Sequence, residues 1–248
     1  MASLSFSCAI VTGGGGGLGR AIAEYLLREG KKVIIVGRTE STLRKTAETI
    51  GATDYFVLDT GKIDQISPFI STILTRYPEI DCLINNAGVQ RPLQVLHDEP
   101  AEFLLKADEE VDINIRGPMH LTLGFLNHFR GKPQGATIIN VTSILAFVPF
   151  SVMNPVYNGT KAWLHFWSMA LRSQLSRGGY EKINVIEVAP PSVGTNLHRD
   201  RDDPDDNKKH NNPKCGDTMI APGMSQEIVE KWYAEFGSLY RTLSGGGP

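Results

Sequence analysis

The stretch "CAIVTGGGGGLGRAIAEYLLREG", residues 8–30, decides how the chain is read. A run of five glycines is either a flexible linker or a loop shaped around a ligand. Its flanks separate the two. Before it stands CAIVT (8–12), a short apolar run of the kind that forms a buried strand. After it, Leu18, Ile22, Tyr25 and Leu26 recur at helical spacing and are expected to share one buried face. Glycines between a strand and a helix permit a tight turn. They also let the backbone approach a pyrophosphate at the helix N-terminus. Gly14, Gly16 and Gly19 meet the general G-x-G-x-x-G spacing. A homopolymer satisfies many patterns, so this match alone leaves an ordinary strand-to-helix turn open.

The same alternation continues along the chain. Strand-like runs are KVIIVG (32–37), YFVLD (55–59), DCLINN (81–86), ATIINVT (136–142) and INVIEVA (183–189). Helical patterns lie between them, including a long segment over about 100–129 and a helix over about 156–176. Near-continuous apolar strands alternating with amphipathic helices indicate a parallel sheet covered on both faces. The expected fold class is α/β: a single-domain Rossmann-type doubly wound sheet of about six strands, spanning 1–248. One composition break stands out, "HRDRDDPDDNKKHNNPKCGD" at 198–217. It has almost nothing to bury and leaves the C-terminal end of the last strand, where such sheets bind ligands. A substrate flap over about 190–224 is expected.

Composition excludes several classes. The 248 residues carry a net charge of −2, which gives no electrostatic footprint for nucleic acid. The three cysteines, Cys8, Cys82 and Cys215, lack metal-ligand spacing, so neither a metal site nor a disulfide scaffold is expected. Cys8 and Cys82 fall in apolar strands and read as core. The N-terminus lacks a basic n-region, and no apolar run approaches the roughly 20 residues that cross a bilayer. A cytoplasmic protein with no membrane partner is expected.

Two features carry chemistry. The second strand ends at Gly37 and Arg38, with no acid to meet ribose hydroxyls. Arg38 is either a fork for a phosphate, with Thr39 adding a hydroxyl, or a surface arginine at a strand end. In "YNGTK", Tyr157 and Lys161 are four apart, one helical turn. A cation there is expected to lower the tyrosine's proton affinity and make it a usable acid/base. Taken alone, the pair also arises by chance.

With these residues in place, the chain resembles the short-chain dehydrogenase/reductase family over nearly its whole length. TGGGGGLG matches the family's T-G-x-x-x-G-x-G at Thr12, Gly13, Gly17 and Gly19. NNAG (85–88), Asn114 in DINIRG, Ser143 in INVTS, Tyr157 and Lys161 follow in the family's order. The segments INNAGVQRPL and VIEVAPPSVGTNL resemble a branch of oxidoreductases named after the bacterial locus for D-alanylation of teichoic acids. The resemblance implies an oxidoreductase using NADP(H) in preference to NAD(H), the preference resting on Arg38 and the missing acid. It implies Tyr157 as general acid/base, Lys161 lowering its pKa and bonding the nicotinamide ribose, and Ser143 polarising the carbonyl. Asn114 would hold a water relaying protons to Lys161. The resemblance further implies cofactor contacts at Gly16 and Leu18 in the loop and Asp59 at the adenine. Asn86, Ala87 and Gly88 would meet the ribose, and Pro190, Val193 and Thr195 the nicotinamide side. Most members have Pro-Gly where this chain has Pro190-Pro191, which removes backbone freedom beside that site.

The substrate side reads as largely apolar. Leu145, Phe147, Phe150 and Met153, with Gln90, are candidates for a pocket suited to a small hydrophobic ketone or its secondary alcohol, though packing into the core explains some of them equally well. Arg91 is read either as solvated or as meeting an anionic group. Trp163, Phe166, Trp167 and Ala170 lie away from Tyr157 on the 156–176 helix and point to a homodimer through it. Two other readings remain: a catalytically silent dinucleotide-binding sensor or scaffold, and an epimerase or dehydratase on the same fold.

Overall fold

The computed structural model describes residues 5–148, 154–191, 193–195 and 197. In them the apolar runs become strands β1 (Cys8–Thr12), β2 (Lys32–Gly37), β3 (Asp54–Val57), β4 (Cys82–Asn85), β5 (Ala136–Val141) and β6 (Ile183–Val188). The helices are α1 (Gly17–Arg28), α2 (Glu40–Ile50), α3 (Ile63–Arg76), α4 (Pro100–Val111), α5 (Gly117–Arg130) and α6 (Pro155–Arg177). The strands form one parallel sheet in the order β3-β2-β1-β4-β5-β6. The chain runs outward one way from β1 and then outward the other way from β4. The two halves meet between β1 and β4, the switch point at which such sheets leave a crevice.

Strand periodicity assigns each residue to one of two cores. Cys8, Ile10, Ile34, Val36, Leu83 and Ile138 face α3, α5 and α6, where Phe69, Ile73, Phe125 and Phe129 pack on them. Ala9, Val11, Val33, Ile35, Cys82 and Ile84 face the other way, toward Ala23 and Leu26 of α1 and Leu43 of α2. Strands buried on both sides cannot alternate with polar residues, which is why their sequence is continuously apolar. Each such side chain taken out of water contributes roughly 1.5–3 kcal/mol.

Three details differ from expectation. Tyr25 is 47% exposed, and the buried face of α1 is Gly19, Ala23 and Leu26. Helix α1 lies so close to the sheet that small residues form its contact, leaving the tyrosine at the rim. Strand β3 ends at Val57, before the expected Asp59. The 100–129 segment is two helices joined by a π-turn at Asp112–Arg116. Most of the flap expected over about 190–224, including 198–217 and Cys215, lies outside the described residues. Cys8 and Cys82 are buried. Among the described residues no helix is long and apolar enough to cross a membrane.

The close approach of α1 is testable. A Cβ at Gly19 would stand 2.5 Å from Asn86 Nδ2 and closer still to the Gly13 carbonyl oxygen, whereas a Cβ at Gly16 would meet nothing within 4 Å. Gly16 is also in extended backbone that any residue adopts. Gly19→Ala should destabilise by about 1–3 kcal/mol, a fall of several degrees in the melting midpoint. Gly16→Ala should leave the midpoint unchanged in the same calorimetric scan.

Candidate active site

The residues singled out from the sequence gather at one edge of the sheet, because parallel strands all end there. Thr12 ends β1, Arg38 follows β2, Asp59 lies beyond β3, Asn86 follows β4, Ser143 follows β5 and Pro190 follows β6. The Thr12 hydroxyl donates to Ile84 O (3.1 Å) and accepts from Asn86 N and Ala87 N (3.0 Å each). Asn86 Nδ2 returns a bond to Thr12 O at 2.8 Å. These contacts hold the glycine loop against the NNAG segment. Gly13 has φ +67 and Gly17 φ +50, left-handed backbone that glycine adopts without strain. Thr46 Oγ1 donates to Gly15 O (2.9 Å) and Gly14 N donates to Val36 O (3.1 Å), so the loop is seated on β2 and α2. Thr195 reaches it from the far side, 3.3 Å from where a Gly17 Cβ would be.

A chain of buried amides and hydroxyls seats α6. Asn85 Nδ2 donates to Asn140 Oδ1 (2.9 Å) and Thr122 Oγ1 (3.2 Å). Asn140 Nδ2 donates to Ser168 Oγ (2.8 Å), whose hydroxyl donates to Leu164 O (2.7 Å). Polar groups this deep fix one register, since any slip strands a donor. The register brings Tyr157 and Lys161 under the end of β5. The Ser143 hydroxyl stands near enough to the Tyr157 phenol to favour its ionised form. Lys161 Nζ donates to Val141 O at 2.9 Å and stands 5.7 Å from the Tyr157 ring centroid. All three residues are buried.

Asn114 closes the cluster from the π-turn. Its Nδ2 donates to Val89 O (2.8 Å) and Thr160 Oγ1 (3.1 Å), and its Oδ1 accepts from Val89 N (2.9 Å). The side chain is therefore spent on the protein, which leaves the backbone carbonyl for the water expected there. Pro118, four residues on, has no N–H to give that carbonyl the regular helical bond. Gly88 is squeezed beside it, where a Cβ would lie 3.2 Å from Asn114 Oδ1 and 3.5 Å from Lys161 Nζ.

Burial rather than pairing controls the proton affinities. Desolvation pushes Tyr157 up to about 12, against the Ser143 hydroxyl, with the charge of Glu110 adding to the rise. Lys161, aimed at Val141 O, is itself pushed down to about 8 by burial, against the charge of Glu110.

The remaining expectations divide. Asp59 Oδ1 accepts from Gly61 N (3.0 Å), which shapes the turn after β3. Thr39 caps α2 by position, without a side-chain bond, and Leu18 is half-buried beside the loop. Pro190 O accepts from Ile144 N (3.1 Å) and ties the end of β6 to the Ser143 segment. Val193 is exposed. Leu145 N donates to Ser143 Oγ at 3.2 Å. Phe147 stands edge-on to the His165 ring at 4.5 Å, so part of its surface is packing. Gln90 is buried. Phe150 and Met153 lie outside the described residues. Arg91 is neither solvated nor open to an anion: its Nη2 pairs with Glu109 Oε2 at 2.8 Å. The other carboxylate oxygen of Glu109 is 3.6 Å from Arg38 Nη1.

Sequence reasoning missed two acids, Glu187, which is half-buried, and Glu110. Glu187 on β6 holds His165 Nδ1 (2.8 Å) and accepts from Thr142 Oγ1 (2.8 Å). Glu110 is fully buried on α4. Its signal is an acid one turn before Asn114, on the same helical face. Among the described residues no group of three His, Cys, Asp or Glu side chains is placed to hold a metal.

Residues 7–206 match the family model described as short chain dehydrogenase. The chain is 37% identical over 190 residues to the uncharacterized oxidoreductase DltE of Bacillus subtilis (strain 168), covering 77% of this chain and 73% of that one. It is similar to 3-ketoacyl-(acyl-carrier-protein) reductase from Brucella melitensis complexed with NADH, at 30% identity and a TM-score of 0.69 over 77% of each chain. It is also similar to a metagenomic short-chain oxidoreductase in complex with NADP, at 27% identity and a TM-score of 0.67 over 77% of this chain and 85% of that one.

Proposed function

The chain belongs to the short chain dehydrogenase family, and we propose that it interconverts a carbonyl and a secondary alcohol on a small, largely apolar substrate, using NADP(H) in preference to NAD(H). The observation that carries this reading is the burial of Tyr157 and Ser143 together at the end of β5, with Lys161 one turn along the same helix as the tyrosine.

The residues present fit a dinucleotide. Helix α1 starts without a capping side chain and without an acid in its first turn, so its N–H groups face open space beside Gly16. Asn86 to Gly88 and Thr195 flank that space. When bound, the nicotinamide supplies the hydride for the carbonyl carbon. This chain supplies the rest. Negative charge develops on the substrate oxygen, where the Ser143 and Tyr157 hydroxyls point donors at it. Tyr157 gives its proton to that oxygen, and in the reverse direction takes one from the alcohol. A phenol at about 12 is fully protonated at neutral pH, which suits the reducing direction. Lys161 places positive charge beside the phenolate that remains. A proton relay through Asn114 runs from its backbone carbonyl rather than its amide.

Support for NADP(H) is Arg38, directly after β2, where an acid to meet ribose hydroxyls would otherwise stand. Its contact with Glu109 is long and both side chains are 41% exposed, so the pair is worth little and the guanidinium is free to turn to a phosphate. Support for a homodimer is the exposure of large apolar side chains on α4, α5 and α6: Leu105 is 72% exposed, Leu123 52% and Phe166 58%.

Three outcomes follow. Tyr157→Phe should lower turnover of a ketone panel by about 100-fold or more, while NADPH binding followed by fluorescence stays within about twofold. Unchanged turnover would remove the mechanism. Arg38→Asp should move the ratio of kcat/KM for NADPH over NADH by about tenfold or more toward NADH, the scale of one charged hydrogen bond. Phe166→Glu should convert dimers to monomers in sedimentation without lowering the melting midpoint.

A further inference from the structure

We propose that Glu110 is a positioning residue of this site, holding the segment after Gly88 through the Arg91 N–H and presenting a buried carboxyl to the Tyr157 and Lys161 side of α6. The inference rests on the oxidoreductase reading above.

The geometry starts from helical spacing. Glu110 and Asn114 are one turn apart, and each reaches the same extended segment. Asn114 brackets Val89 by N–H and carbonyl, while Glu110 Oε1 accepts the Arg91 N–H. Residues 89 and 91 point their amides the same way in extended chain, so the two anchors act in register. Glu109 holds the Arg91 guanidinium from outside. Gly88, pressed between Asn114 and Lys161, is thereby fixed against α6.

An anchor alone does not need a charge. The Arg91 N–H takes one carboxyl oxygen, and Glu110 Oε2 has no hydrogen-bond partner among the described residues. A fully buried carboxyl with an orphaned oxygen is costly, and an amide would serve the N–H as well. What a carboxyl adds is a titrating charge facing the site. The groups around it are Glu109 on its own helix, Arg91 on the loop, and Lys161 and Tyr157 on α6. Arg91 is committed to Glu109 and Lys161 Nζ to Val141 O, so neither neutralises it by contact. Burial raises Glu110 to about 7, and its charge raises both Lys161 and Tyr157. Ionised Glu110 therefore keeps the proton on Tyr157, as carbonyl reduction requires. Protonated Glu110 releases that hold.

Glu110→Gln keeps the shape and the acceptor for Arg91 N–H but removes the charge. With NADPH and the best ketone of the panel, the alkaline limb of kcat for reduction should move down by about one pH unit, the scale of one nearby charge, with NADPH affinity within about twofold. Glu110→Asp, which retains a charge, should restore most of the limb. A Gln variant with the wild-type limb overturns the charge role. Absence of turnover by the wild-type protein overturns the oxidoreductase reading instead. A second measurement is independent of turnover and of whether the Gln variant folds. The protonated carboxyl band of the wild-type protein, assigned by its shift in Glu110→Asp, should titrate near neutral pH in infrared difference spectra. Lys161→Met should move that midpoint upward, because removing a cation favours the protonated acid. An unmoved midpoint overturns the coupling.

Discussion

The Thr12 hydroxyl is the interaction on which the site depends. It bonds one backbone group of β4 and two of the segment after it, and the Asn86 amide returns a fourth bond to the Thr12 carbonyl. These contacts lie where the two halves of the sheet meet. They also dictate the glycines. Gly13 presses on Asn86 and Ala87, and Gly19 on Gly13 and Asn86, so that a side chain at either would push the two strand ends apart. Only after this closure do the loop, the NNAG segment and the first turn of α1 share a wall.

The second half of the site is held by buried polarity. Asn85, Asn140 and Ser168 form a line from β4 through β5 into α6. Each bond adds modestly to stability, about 1 kcal/mol, but leaving any partner unmatched costs more. The result is specificity of placement: α6 has one depth and one rotation on the sheet. Tyr157 and Lys161 inherit that placement. The same enclosure removes water from them, which is why the phenol holds its proton and the ammonium loses some of its hold.

Much of this was legible in the chain, for identifiable reasons. Continuous apolar runs could only be strands buried on both faces, and Gly13, Gly17 and Gly19 sit where backbone contacts or left-handed φ demand them. Tyr157, Lys161, Ser143 and Asn114 come together as the spacing and the resemblance implied. What periodicity could not show was distance from the sheet. Tyr25 has the right phase for the core but lies outside it, because Gly19 and Ala23 bring α1 too close. Nor could spacing reveal partners far apart in sequence. The Arg91–Glu109–Arg38 chain links β2, a loop and α4. No motif singles out Glu110 or Glu187, whose partners Arg91 and His165 lie on other segments.

The π-turn at Asp112–Arg116 has a consequence for the phase of everything after it. A π-turn holds one residue more than a regular turn, so it rotates the following helix by about 100° relative to an uninterrupted one. Helix α4 presents Glu110 to α6, whereas α5 presents Phe125 and Phe129 to the sheet. One continuous helix could not aim both faces correctly. Deleting a single residue from this turn would regularise the backbone and swing both phenylalanines off the core. The irregular hydrogen bonding is therefore kept in place by hydrophobic packing a full two to three turns away.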